Sequence, residues 1–285
     1  MKHKAPSTAG LKKNSKAVSP ALSTAILTSA IVVLLLVTMV FTSNFLEARM
    51  VENEFSAMKQ FMQTVGLQID DVAWIPGRTQ TIRYASRYGH VEFVDNALAY
   101  TVTVKNASGF WELFGTYTTG ILIFNMPVSK YSLGNNYHER IFPTSGSFLN
   151  FGVSASTSYI FIVEKMPMID GNYIRIVAVP CIRVLNTTIS EEKYVKFFLP
   201  VLNSSGSHPR LSQSITLSGK SVSVKTKGCS AISVTVVFLR EEYENGGFGG
   251  DFFNFERGTE TLEVTDGSIM EFYVGNVAIT LGLHG

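Results

Sequence analysis

Between Lys16 and Glu47 the chain carries no charged side chain, and Ala21 to Phe41 reads ALSTAILTSAIVVLLLVTMVF. As a helix rising ~1.5 Å per residue, that run is long enough to cross a bilayer core of ~30 Å, and it predicts a membrane span over about residues 21–43. Past the span, the pattern changes from apolar all round to one-sided. Val51, Phe55, Met58, Met62, Val65, Ile69 and Val72 recur at alternating steps of four and three, while Glu52, Glu54, Lys59, Gln60, Gln63 and Gln68 fall elsewhere. This is the stripe of an amphipathic helix. Ser19 is a suitable N-cap and Pro20 fits a first helical turn. Neither glycine nor another proline follows until Gly66, and Pro76-Gly77 closes the pattern. One helix from Pro20 to about Val72 would be ~80 Å long. The stripe spans only about three heptads, with no clear charge pairing beside it, so it is expected against the protein's own domain rather than in a coiled coil. Gly66 marks a bend or a close approach of another segment.

After Gly77 the period drops to two. Short runs rich in Val, Ile, Thr, Phe and Tyr alternate with clusters of Gly, Asn, Ser and Pro. Strands are expected at 80–85, 90–94, 99–105, 120–125, 159–164, 173–179, 194–199, 214–217, 221–225, 230–240, 260–264 and 268–280. With no convincing helix among them, they predict a sandwich-like all-β domain over 76–285, so that the fold class is α+β with a long N-terminal helix. The polar stretch Asn203 to Pro209 is the one plausible internal boundary, and a single domain is the simpler organisation.

Upstream of the span lie Lys2, Lys4, Lys12, Lys13 and Lys16, with no acidic residue. A basic head before one apolar span places the N-terminus in the cytoplasm and the rest outside. The order of parts at the junction is distinctive. In an ordinary secretory signal the small-residue cleavage site follows the apolar run. Here Ala17 precedes it, in Lys16-Ala17-Val18-Ser19-Pro20.

These five residues and the long apolar stretch after them resemble the class III signal peptides of archaeal type IV pilins and pilin-like proteins, over about residues 12–72. The resemblance implies a basic leader over 1–17, cut between Ala17 and Val18 by a prepilin-peptidase-type enzyme, with the long helix over 18–75 kept on the mature chain. It implies a surface or pilus location, a structural or minor subunit of an adhesive filament, homo- or hetero-oligomers of pilin-like subunits, and an assembly platform and ATPase as partners. Bacterial type IV pilins usually carry a glutamate at the fifth mature position. Leu22 stands there, which favours the archaeal pattern. Two other readings stay open. One is an uncleaved, single-span surface binding protein. The other is a membrane-tethered hydrolase.

Charge and candidate chemistry narrow the choice. Taking the five leader lysines from the 24 basic residues leaves 19 against 22 acidic ones, a net −3, so nothing points to a nucleic-acid partner. The histidines show no metal or protease spacing, there is no G-x-S-x-G elbow, and the glycines of 246–250 lack the following Lys-Ser/Thr of a phosphate loop. No enzyme activity, cofactor or metal site is expected. His138-Glu139-Arg140 reads as a solvated loop, Asp70-Asp71 as solvated charges, and Phe252, Phe253 and Phe255 as core re-entry after a loose turn. Cys181 and Cys229 form either one disulfide or two buried thiols. Asn106, Asn186 and Asn203 begin N-x-S/T triplets and are candidate N-glycosylation acceptors on the exported side, Asn106 and Asn203 the better two because glycine follows closely.

Overall fold

The structure is a computed structural model of the 285-residue chain, and the described residues are 15–106, 108–164, 172–206, 213–239 and 249–282. It has the α+β layout: a long helix α1 (Ser15–Ala73) followed by a large β domain. The chain divides into two compact units, Met1–Met50 and Val51–Gly285. That division falls inside α1 because Val51 is where the helix joins the domain core.

The strands are β1 (Thr79–Arg83), β2 (His90–Lys105), β3 (Trp111–Pro127), β4 (Tyr137–Phe142), β5 (Leu149–Phe151) and β6 (Ser158–Glu164). They continue as β7 (Tyr173–Pro180), β8 (Ile182–Ile189), β9 (Glu192–Ser204), β10 (Ser214–Phe238) and β11 (Thr259–Leu281), with a short helix α2 (Gly250–Phe253) before the last. All belong to one 11-stranded sheet in the order β4-β6-β7-β3-β2-β10-β11-β9-β8-β5, with β1 pairing β10 beside that path. Most pairs are antiparallel; β11 with β9 and β5 with β8 are parallel.

A sandwich of two separate sheets is therefore not what forms. The single sheet folds over itself instead. β7 passes through Cys181 straight into β8, although the two lie far apart in the hydrogen-bonded order. Across the fold, the Leu202 N–H donates to Thr119 Oγ1 at 3.0 Å and the Tyr100 hydroxyl donates to the Pro180 carbonyl at 2.5 Å. Bulges at Gly219/Ser221 and Cys229/Ala231 on β10 and at Val94/Leu98 on β2 let these long strands bend.

Folding over creates two cores on opposite faces. Ile121 and Ile123 of β3, Tyr159, Phe161 and Val163 of β6, and Val177 and Val179 of β7 point into the interior. Their neighbours Leu122, Phe124, Ile160, Ile162, Ile174 and Ile176 point to the other face, where the stripe of α1 covers them. Strands buried on both faces read as continuous apolar runs, which explains the SYIFIVE of β6.

β4 was expected as a loop and is an edge strand paired to β6. His138 stacks on Phe161 with ring centroids 5.2 Å apart, and Arg140 donates from Nε to the Tyr159 hydroxyl at 3.0 Å. Several strands expected as separate are single: 90–94 and 99–105 make β2, the three runs from 214 to 238 make β10, and the two from 260 to 280 make β11. β9 and β10 share one sheet, so the stretch around Asn203 is no boundary; its residues 207–209 lie outside the described residues.

Candidate functional site

The features that bear on function lie along α1. From Leu22 to Leu46 every side chain is exposed, and the segment is long and apolar enough to span a membrane. The residues of the stripe, Val51, Phe55, Met58, Met62, Val65, Ile69 and Val72, are at most 4% exposed. Each buried large apolar side chain contributes about 1.5–3 kcal/mol relative to exposure, so the stripe holds α1 in the domain by far more than any polar contact along it.

Gly66 is the close approach on this face. A Cβ there would lie 2.9 Å from Ile160 Cδ1, and the Ser158 hydroxyl donates to the Gly66 carbonyl at 2.9 Å. At the end of the helix, Gly219 of β10 and Gly275 of β11 leave room for the backbone of Val72 to Ile75.

Three carboxyl or ammonium groups of α1 fix loops and strands drawn from distant parts of the chain. The Glu54 carboxylate accepts from Ser86 Oγ at 2.6 Å and from the N–H groups of Arg87 and Tyr88 at 3.0 and 2.9 Å. Lys59 pairs with Glu139 of β4 at 2.7 Å, and the hydrogen bond from Lys59 holds the Glu139 carboxyl below the ordinary range. Asp70 Oδ1 accepts from Trp74 Nε1 at 2.8 Å and Thr157 Oγ1 at 2.9 Å, while its Oδ2 lies 3.1 Å from Arg183 Nη1. Its neighbour Asp71 pairs with Arg78 and accepts from Gln80. The two aspartates are thus clamps, and not the solvated charges the sequence led us to expect.

A pH effect follows from Glu139. Its folded pKa is depressed, so its contribution is present above the unfolded value of ~4.3 and is lost as pH falls through the lower folded value. Both partners are about a third exposed, so the pair stabilises by less than ~1 kcal/mol. Lys59→Met is expected to lower stability by that amount at pH 7, with the difference from wild type shrinking as pH falls below ~4.3. Denaturant titrations at the two pH values check this.

The junction residues Lys16, Ala17, Val18, Ser19 and Pro20 lie inside α1, which begins at Ser15; residues 1–14 lie outside the described residues. Ser19 is therefore not the N-cap in the uncut chain, and Pro20 is not in the first turn. Within a helix, proline offers no N–H to the carbonyl four residues back, here that of Lys16, which weakens the turn holding the Ala17–Val18 bond. A cut at that bond would bring Pro20 into the first turn, where proline costs nothing.

Cys181 and Cys229 are buried free thiols, so the disulfide alternative does not form. Burial pushes both thiols up, and Cys181 accepts from Asn150 Nδ2 at 3.0 Å. Asn186 and Asn203 are exposed on β8 and β9. Asn106 is half-buried, and its Nδ2 donates to Glu112 Oε1 at 2.5 Å. Phe252 and Phe253 are fully buried in the interior core; residues 240–248, including Glu241-Glu242 and most of the glycine run, lie outside the described residues. His208 and His284 lie outside them too.

Among the described residues, no group of three or more His, Cys, Asp or Glu side chains is placed to hold a metal ion. A shallow groove between the β8–β9 hairpin and β11 is lined by Asn186, Lys193, Tyr194 and Glu263, and Lys193 donates to Thr265 Oγ1 at 3.1 Å. It brings together no nucleophile, base and orienting group.

The fold and these features define a class: a β domain whose core includes the second half of a helix, with a membrane-length apolar segment in the first half of that same helix. Comparison with protein families, curated proteins and solved structures finds no match to this chain.

Proposed function

We propose that this chain is a pilin-like surface protein of the archaeal type, cut after Ala17 by a prepilin-peptidase-type enzyme, and a structural or minor subunit of a type IV pilus-like filament. The observation that carries the reading is the order of parts at the junction: basic residues, a small residue, and then an apolar run that continues as the helix of the folded domain. A cut at Ala17 keeps that helix on the mature protein. An ordinary signal-peptidase cut after the apolar run would detach the domain from its membrane element. The exposed side chains of 22–46 then have two apolar environments open to them, lipid before assembly and neighbouring helices after it. Burial among helices is driven by ~25 cal/mol per Å² once lipid no longer covers them. Extraction from the bilayer requires an assembly platform and ATPase as partners. The β domain faces outward and carries adhesion, with Asn186 and Asn203 as acceptors for glycans.

The unbroken helix across Ala17–Val18 favours a second reading, the uncut surface anchor, since a peptidase needs that turn opened. Shearing surface appendages from intact cells and probing for this chain separates the two. Filament assembly predicts the chain in the sheared fraction. Recovery only from detergent-extracted membranes would support the anchor.

A further inference from the structure

The β2–β3 hairpin displays three large apolar side chains within four residues. Phe110 is 71% exposed, Trp111 47% and Leu113 65%. A floppy loop would let such groups collapse onto the domain, but this one is pinned. Asn106 Oδ1 accepts from the N–H groups of Ser108 and Phe110, each at 3.0 Å; the Asn106 N–H donates to the Phe110 carbonyl at 2.9 Å; and Gly109 takes a positive φ of 83° to close the turn. Glu112, between the apolar residues, is held on the opposite face by Lys227 at 2.5 Å. The apolar groups are thus held out in water by design of the turn, and an exposed apolar cluster of this kind marks a contact surface.

What adjoins the tip says what it contacts. Trp111 and Leu113 stand opposite Lys105 and Thr103 of β2, on the outward face of the sheet. Along that face run Thr101 and Thr103 on β2, Ser233 and Thr235 on β10, and Thr259 and Thr261 on β11, in register across the strands. Neighbouring hydroxyls touch: Thr235 and Thr259 Oγ1 are 3.0 Å apart, and Thr261 donates to Ser233 Oγ at 3.1 Å. Thr116 of β3 extends the row beside Thr101. Strands ~4.8 Å apart, with same-face residues ~6.8 Å apart along each, make a flat lattice of hydroxyls. The hydroxyl positions themselves carry no charge; Lys105, opposite Trp111, stands where the lattice meets the tip, and Glu263 is two strands away in the same row, with Ala231 between them. Threonine suits exposed strands through propensity alone. Trp and Phe held out beside it are not explained that way.

We propose that this tip and the hydroxyl lattice beside it bind an uncharged polysaccharide. Sugar rings present C–H faces that stack on Trp111 and Phe110, and hydroxyls that both donate to and accept from threonine. An acidic or basic polymer gains no counter-charge on the lattice. β2 starts beside the loop that Glu54 holds and runs 16 residues to the tip. This inference does not depend on filament assembly.

The test uses full-length protein in detergent, incubated with microcrystalline cellulose, with chitin, and with alginate gel as the acidic control. Retention on cellulose or chitin and not on alginate is expected, falling at least tenfold in the double variant Phe110→Ala/Trp111→Ala. A second variant, Thr101→Lys/Thr235→Lys, leaves the aromatics in place and is also expected to lose retention. Unchanged melting temperatures show that both variants are folded. No retention on either neutral surface, equal retention of the variants, or retention on alginate alone would overturn the proposal.

Discussion

Gly275→Ala lowers the melting temperature of the protein by about 4–12 °C, the expectation for a loss of ~2–3 kcal/mol in a domain of this size. The added methyl would sit 2.5 Å from the Ala73 carbonyl oxygen and 3.0 Å from the carbonyl carbon. Neither is the end of a flexible side chain. They are the last turn of α1, and the chain just beyond is tied to β10 by two backbone bonds, Gly77 N–H to the Gly219 carbonyl at 2.8 Å and Gly219 N–H to the Arg78 carbonyl at 2.9 Å. To admit the methyl, the helix end must lift off the sheet, and Val72 and Ala73 leave the core with it. Gly219→Ala, whose methyl would meet the Val72 and Ile75 carbonyls at 2.5 and 2.7 Å, is expected to behave alike. Gly228→Ala is the control, because nothing lies within 4 Å of its Cβ position, and its melting temperature should change little. If Gly275→Ala melted with wild type, α1 would not seat on these strands as described.

Asp70→Ala has the second large effect. The carboxylate is the shared acceptor for a residue just past the helix, a loop residue and a strand residue: Trp74, Thr157 and Arg183. Its removal strands the Thr157 hydroxyl, on a residue with no exposed surface, and the Arg183 guanidinium, which lies over the Phe198 ring at 4.9 Å. Leaving a fully buried charge unpaired costs about 3–5 kcal/mol. Arg183 and Asp70 retain 15% and 26% exposure, so water relieves part of that and about 2–3 kcal/mol is expected. Asp70→Asn keeps an acceptor for Trp74 and Thr157 and should lose less. Equilibrium denaturation of the three proteins measures the series. A loss below ~0.5 kcal/mol for Asp70→Ala would show that the clamp contributes nothing.

The helix was legible in the sequence because both of its signals are local. An apolar run and a four-three stripe need only neighbouring residues, and all seven stripe positions are buried. Strand positions were also legible, but strand unity was not. The bulges around Asp95 to Ala97 and at Gly219 put polar residues and glycine inside continuous strands, and such residues look like turns when only the string is seen. β4 was missed for the opposite reason. Its six residues, Tyr137 to Phe142, are all half-buried, and its charges are paired with Lys59 and Glu256 rather than solvated.

The sheet's closure over itself had no sequence signal, since it depends on which strands pair across long intervals, such as β11 with β9 in parallel. The clamps of Glu54 and Asp70 were hidden likewise. A carboxylate on a helix face looks solvated until the fold brings a loop from 30 or more residues away to meet it. The hairpin tip could have been noticed, because Phe110-Trp111-Glu112-Leu113 gathers three large apolar residues just after a sequon.

The order of parts at Lys16 to Pro20 gives the account its central claim, that the leader is removed while the helix stays. Intact mass and N-terminal sequencing of the protein purified from its native membrane or surface measure this directly. The mature chain is predicted to begin at Val18 and to lack residues 1–17. A chain beginning at Met1 or Lys2, or one cut beyond Phe41 and so lacking the apolar segment, would contradict it.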